Sequence, residues 1–215
     1  MNRNRLYIIF AVIVSCLILT GCEFLGKQDA GEYHDRTMYE LKGEVKNVNW
    51  YFNNFGVEEL GFRLEFDSDG KATRNRFDDT WEDVETDISI TRDDKNRITS
   101  YIITGKEDKA TKLKAEYQYN ENGQVFEINS NWYNDISAVD ILEYDNDRNL
   151  VKQVSDGISM DIHTKETIVY EYTAKDENGN WTERKGFKTT ELIEDGNPVT
   201  IDEGVVIERR EIEYY

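Results

Sequence analysis

The chain has 215 residues, 44 of them Asp or Glu against 26 Lys or Arg, a formal net charge of −18. So acidic a chain is repelled by nucleic acid and by anionic lipid head groups, which excludes nucleic-acid binding as its function. Thirteen Tyr, nine Phe and four Trp supply the buried surface that disordered acidic chains lack, so the chain folds.

Arg3 and Arg5 precede an apolar run from Leu6 to Thr20. A basic start, a short apolar stretch and small residues before a cleavage point describe a secretory signal over residues 1–21. The run falls short of the ~20 apolar residues a membrane-spanning helix needs. Its end, Leu19-Thr20-Gly21-Cys22, resembles the lipobox of bacterial lipoproteins. The resemblance implies cleavage between Gly21 and Cys22, a diacylglycerol on the Cys22 thiol, and anchoring to a membrane of the bacterial cell envelope, with the outer membrane of a diderm favoured. Cys16 leaves with the signal and Cys22 is consumed by lipid, so no disulfide and no free thiol remain. Residues 22–37 are polar and irregular and are expected to form the lipidated N-terminus and a tether.

From residue 38 to 215 a single β-repeat domain is expected. An opening strand is read around Met38 to Phe52 and a closing one around Val205 to Tyr215. Between them recur five turn-like clusters: Asp67-Ser68-Asp69-Gly70, Asp93-Asp94-Lys95-Asn96, Asn120-Glu121-Asn122-Gly123, Asp145-Asn146-Asp147-Arg148 and Asp176-Glu177-Asn178-Gly179. Each opens on Asp or Asn, whose side chain bonds the backbone ahead. Three close on Gly, which tolerates the left-handed conformation that such loops require. Asn96 is a tolerable substitute there, and Arg148 is the poorest fit. Alternating segments such as Phe62-Arg63-Leu64-Glu65-Phe66 and Leu142-Glu143-Tyr144 lead into the turns, so each repeat of about 26 residues reads as one hairpin with a return connection. Pro198, the single proline, leaves nearly every residue able to donate to a ladder.

Tyr117-Gln118-Tyr119-Asn120-Glu121-Asn122-Gly123, Leu142 to Leu150, and Tyr170-Glu171-Tyr172 followed by Asp176 to Arg184 resemble the tyrosine-aspartate (RHS/YD) repeats of bacterial envelope proteins. The last copy departs by inserting Thr173-Ala174-Lys175 before its turn. The resemblance covers roughly residues 60 to 190 and implies a fold, not an activity. The expected architecture is all-β: an antiparallel meander of repeated hairpins forming a twisted sheet, curled into an open barrel or half-shell.

Chemistry is sparse. The oxygen-rich turns offer carboxylates to calcium, but none has the EF-hand order, and turn geometry explains the same residues. The only histidines, His34 and His163, carry no local motif, so no catalytic residue, metal site or cofactor is expected. Charges alternating with apolar residues in Glu208 to Glu213 look like the wet face of a strand. Trp50, Trp81, Trp132, Tyr133 and Trp181 are the candidate binding aromatics, able to stack on a glycan or anchor a protein partner. The expected function is a non-enzymatic binding or scaffolding role at the membrane. The alternatives are a carbohydrate-active enzyme with paired carboxylates, and an acidic neutraliser of a basic, toxin-like partner.

Overall fold

Alternation of inward and outward residues over successive segments, punctuated by Asp- and Asn-led turns, builds nearly every described residue into antiparallel strands. The computed structural model describes residues 35–54, 57–74, 86–132 and 136–215. The chain divides into two units, Met1–Glu32 and Tyr33–Tyr215, and all described residues belong to the second. Gly21, Cys22, His34, Trp81 and Tyr133 lie outside them.

A four-residue helix, α1 (Asp35–Met38), leads into β1 (Val45–Asn54) and β2 (Val57–Phe66), followed by the short β3 (Ala72–Arg74). Then come β4 (Thr86–Arg92), β5 (Ile98–Gly105), β6 (Thr111–Tyr119), β7 (Val125–Trp132), β8 (Ile136–Tyr144) and β9 (Leu150–Ser159). Three longer strands, β10 (Ile162–Lys175), β11 (Trp181–Glu194) and β12 (Asn197–Tyr214), complete the chain. All twelve belong to one sheet in the order β3-β2-β1-β12-β11-β10-β9-β8-β7-β6-β5-β4, so the last strand pairs with the first. The edges β3 and β4 are not hydrogen-bonded to each other, and the sheet does not close into a barrel.

The five predicted turns are five copies of one hairpin. In each, the first residue's N–H donates to the carbonyl of the fifth, as from Asp67 to Lys71 (3.0 Å) and from Asp176 to Asn180 (2.8 Å). The fourth residue's N–H donates back to the first carbonyl. The first side chain closes the loop by accepting from the fifth residue's N–H, as in Asp93 with Arg97 (2.9 Å), Asn120 with Gln124 (3.0 Å) and Asp145 with Asn149 (2.8 Å). The fourth position is left-handed in all five, at Gly70, Asn96, Gly123, Arg148 and Gly179, with φ between 62° and 79°. A register shift precedes each turn, and in the fifth copy two shifts at Tyr172 to Lys175 absorb the inserted residues. Antiparallel meandering puts all five turns at one end of the sheet.

Successive repeats are laced by their tyrosines. The hydroxyls of Tyr119, Tyr144 and Tyr172 donate to the carbonyls of Ile98 (2.7 Å), Val125 (2.7 Å) and Leu150 (2.8 Å), each the first residue of the preceding hairpin's outgoing strand. Two apolar clusters form the core. Tyr101, Ile103, Leu113, Tyr117 and Ile128 build one on β5–β7, and Val45, Val48, Trp50, Leu64, Phe66 and Trp181 build the other across β1, β2 and β11.

Three expectations change at the termini. The opening strand begins at Val45 rather than near Met38, because Glu40 and Gly43 take positive φ and turn the chain out of extended form. The closing strand reaches back to Asn197. The stretch read as tether up to residue 37 is already folded from Asp35, since the Asp35 and Arg36 side chains are buried against the sheet.

Arg148 holds a conformation that costs an L-residue about 1 kcal/mol, so Arg148→Gly is expected to raise the stability measured by urea unfolding by roughly that amount. Burial opposes the charge of Asp93 and Asp145, but the hydrogen bonds from Arg97 and Asn149 more than offset it and hold both carboxyls below the ordinary Asp range. Their stabilisation is therefore complete above the unfolded value, about 3.9, and is lost as pH falls through the lower folded values. The double variant Asp93→Asn/Asp145→Asn keeps the turn acceptor, as Asn120 shows. Its unfolding free energy is expected to fall less steeply than that of the unaltered protein below about pH 4.

Candidate functional site

At the end of the sheet that carries the five turns, α1 and the residues up to Gly43 run as a strap across the opening. Asp35 ties the two sheet edges. Its carboxylate accepts the Ala72 N–H of β3 (2.8 Å) and grips the Arg92 guanidinium at the end of β4 with both oxygens (2.7 and 2.8 Å). Arg36 donates to the Asp67 carbonyl (2.8 Å), and Lys42 exchanges two hydrogen bonds with the buried side chain of Asn180 (2.7 and 2.9 Å). Each contact satisfies a polar group that curling the sheet would otherwise bury unpaired.

Glu40 carries the strap into the interior. One oxygen accepts from the Leu150 N–H (2.8 Å) and shares, at 3.1 Å, the Tyr172 hydroxyl proton with the Leu150 carbonyl, and the other accepts from the Trp181 indole and Arg184, both at 3.3 Å. Arg184 also donates twice to Glu208 (2.8 and 3.1 Å), which accepts from the Trp50 indole as well (3.0 Å). Arg210 lies between Trp50 and Trp181, 3.7 and 3.5 Å from the ring centroids, and donates to the Tyr39 carbonyl (2.9 Å). Its Nε and Nη1 have no hydrogen-bond partner, and the ring faces supply the favourable field there. Burial lowers the Arg210 pKa, with Glu40 and Glu208 pulling it back up. At Arg184 the same two carboxylates more than offset burial and raise it. Burial also holds the Tyr144, Tyr170 and Tyr172 hydroxyls protonated well above the ordinary phenol range.

Above the strap the curled sheet lines an open cavity of about 440 Å³, within the size range of small-molecule sites. Met38, Tyr39 and Glu40 form its floor. Trp50, Phe52 and Phe62 make an aromatic wall, faced by Ile128, Leu142, Ile168 and Val206. Gln153, Glu166 and Lys188 are the polar groups of the wall that lie away from the Arg184 cluster. Gly186 leaves room for the Ile168 and Tyr170 side chains, which a Cβ there would meet at 2.7 and 3.2 Å.

Of the sequence-predicted aromatics, Trp50 borders the cavity. Trp181 is buried behind it (2 % exposed), and Trp132 is half-buried against the β5–β7 core. None of these three forms an open stacking face. Glu208 to Glu213, read as a wet strand face, is wet only on one parity: Glu208 and Arg210 are 4 % and 2 % exposed, because they share the inward face with Ile212 and Tyr214. That shared parity is the signal in the sequence that identifies them. No comparable signal marks Glu40, whose partners lie 110 to 144 positions away. Glu40 and Glu208 are two carboxylates in one cavity, but both are engaged by the same guanidinium. His163 is paired with Asp156 (2.6 Å) near the tip of the β9–β10 hairpin. Among the described residues, no group of three or more His, Cys, Asp or Glu is placed to hold a metal ion.

No family model, curated protein or solved structure matches this chain.

Glu40→Ala leaves the Leu150 N–H and Trp181 indole without an acceptor and Arg184 with one carboxylate fewer. It is expected to cost about 3 kcal/mol in urea unfolding.

Proposed function

We propose that this protein is a lipid-anchored protein of the bacterial envelope that binds a small molecule, without transforming it, in the cavity of its half-barrel. The observation that carries the reading is the cavity itself: a concave, largely apolar and aromatic chamber with a few polar groups converging on it, which is the common form of a ligand site. A binding role is favoured over paired-carboxylate hydrolysis because Glu40 and Glu208 are consumed in holding Arg184. The anchor rests on the lipobox-like residues Leu19 to Cys22, which would leave the folded unit tethered by its N-terminal side.

Gly204 sits two residues before Val206 on the cavity face of β12, and a Cβ placed there meets nothing within 4 Å. Gly204 is exposed at the rim, so Gly204→Trp is expected to obstruct the cavity mouth beside Val206 without disturbing the sheet. Titration with the neutral dye Nile red should give saturable binding that weakens by about tenfold or more in this variant, at unchanged far-ultraviolet circular dichroism. Equal binding by both proteins would refute the cavity as the site. Metabolic labelling with radioactive palmitate should mark the wild-type chain and spare Cys22→Ser.

A further inference from the structure

Above the apolar part of the cavity, one row of the concave face carries a regular pattern. Asp140 of β8 is in register with Ser155 of β9, Ser155 with Glu166 of β10, Glu166 with Thr190 of β11, and Thr190 with Asp202 of β12. Carboxylates thus alternate with hydroxyls across five adjacent strands. Strands lie about 4.8 Å apart, so the backbones at neighbouring carboxylate positions stand about 9.6 Å from one another, and the Lys188 ammonium reaches two of the three carboxylates, Glu166 and Asp202. The next row inward is Leu142, Gln153, Ile168, Lys188 and Gly204, and Lys188 supplies the one cation of the two rows.

Glu166, Lys188 and Gln153 are the loosely held polar groups around this belt. Among the described residues, Glu166 receives the Thr190 hydroxyl at 3.4 Å and Lys188 at 3.7 Å. Lys188 divides itself between Glu166 and Asp202 (3.2 Å), and Gln153 makes contacts of 3.3 Å with Asp140, Ser155 and Tyr170. Asp140 also accepts from Ser155. Apart from the bond between Ser155 and Asp140, these lengths lie beyond the optimum for charge-assisted bonds, so a donor arriving at Glu166 displaces little. Three carboxylates against one ammonium give the belt an excess of negative charge, beside an aromatic and aliphatic chamber.

Resting on the reading of the cavity as a binding site, we infer that its ligand is an amphiphile with a protonated amine head. The apolar body fills the space among Phe52, Phe62, Ile128, Leu142, Ile168 and Val206, and the ammonium lies against Glu166 in the carboxylate–hydroxyl belt. An anionic head meets three like charges there, and a neutral polyol head gains hydrogen bonds without the ionic attraction.

Displacement of Nile red by dodecylammonium, dodecyl maltoside and dodecyl sulfate, each below its micelle concentration and in 0.15 M salt, separates the possibilities. Dodecylammonium is expected to displace the dye at a concentration about tenfold lower than the maltoside, with the sulfate weakest. Glu166→Gln should bring the amine close to the maltoside while leaving the maltoside unchanged. Glu143→Gln, on the outer face of β8 where Glu143 pairs with Lys152, should alter neither. Equal displacement by all three amphiphiles would overturn the amine head and leave the binding cavity standing, as would an equal effect of Glu143→Gln and Glu166→Gln. Failure of every amphiphile to displace the dye would overturn the amphiphile, and failure of the dye itself to bind would remove the reading beneath it.

Discussion

Everything in the half-barrel leans on the Glu40 carboxylate. A sheet of twelve strands curled without closing leaves an open end and two unpaired edges, and such edges invite other chains to pair with them. The strap that covers the end is short and mostly polar, so it cannot be held by apolar burial alone. Glu40 holds it by engaging β9, β10 and β11 at once through Leu150, Tyr172, Trp181 and Arg184. Asp35 does the complementary work at the edges by joining β3 to the end of β4. Because Arg184 is shared between Glu40 and Glu208, the strap is tied in turn to β12, and through its register to β1.

The five-fold hairpin explains how so wide a sheet keeps its register without disulfides among its described residues. Each turn sets the pairing of its two strands through the same three hydrogen bonds, and a shift in register before each turn adds twist. Tyr119, Tyr144 and Tyr172 then bind each repeat to the preceding one, so an error in one hairpin would break a hydrogen bond in the next. The first two repeats carry Phe66 and Arg92 at the corresponding strand ends. There the strap takes over, with Arg92 bound by Asp35 and Arg36 set 5.8 Å from the Phe66 ring centroid.

The same period-two geometry that builds the sheet sorts its chemistry. Outward positions carry ion pairs such as Arg209 with Glu58 and Lys152 with Glu143, which are solvated and screened. Inward positions pass from the paired Glu40, Arg184 and Glu208 at the strap, through an aromatic and aliphatic zone, to the alternating carboxylates and hydroxyls of Asp140 to Asp202. Along one concave face the cavity thus runs from the mutually paired ions of Glu40, Arg184 and Glu208 at the strap, through an apolar middle, to an acidic mouth.

Local chemistry made the hairpins legible in the sequence. Asp and Asn at the head of each turn, Gly or Asn at the fourth place, and alternating aromatics on the incoming strand act over a few residues, and all five turns form where that chemistry places them. Even the misfit at Arg148 is a local property, visible as the one bulky residue at the fourth place of these five turns. The cavity and its ion cluster were not legible. Glu40, Arg184, Glu208 and Arg210 are ordinary charged residues in an acidic chain; Arg184 and Glu208 meet by register on adjacent strands, and the network is completed only when Glu40 arrives from 144 positions away. The sequence by itself determined the repeat, its turn geometry and its strand polarity, because these follow from backbone preferences and period-two alternation. Tertiary structure alone decided that the sheet stops short of closure, that a strap caps it, and that its concave face becomes a chamber. Those outcomes depend on accumulated twist and long-range pairing, which no short stretch of residues encodes.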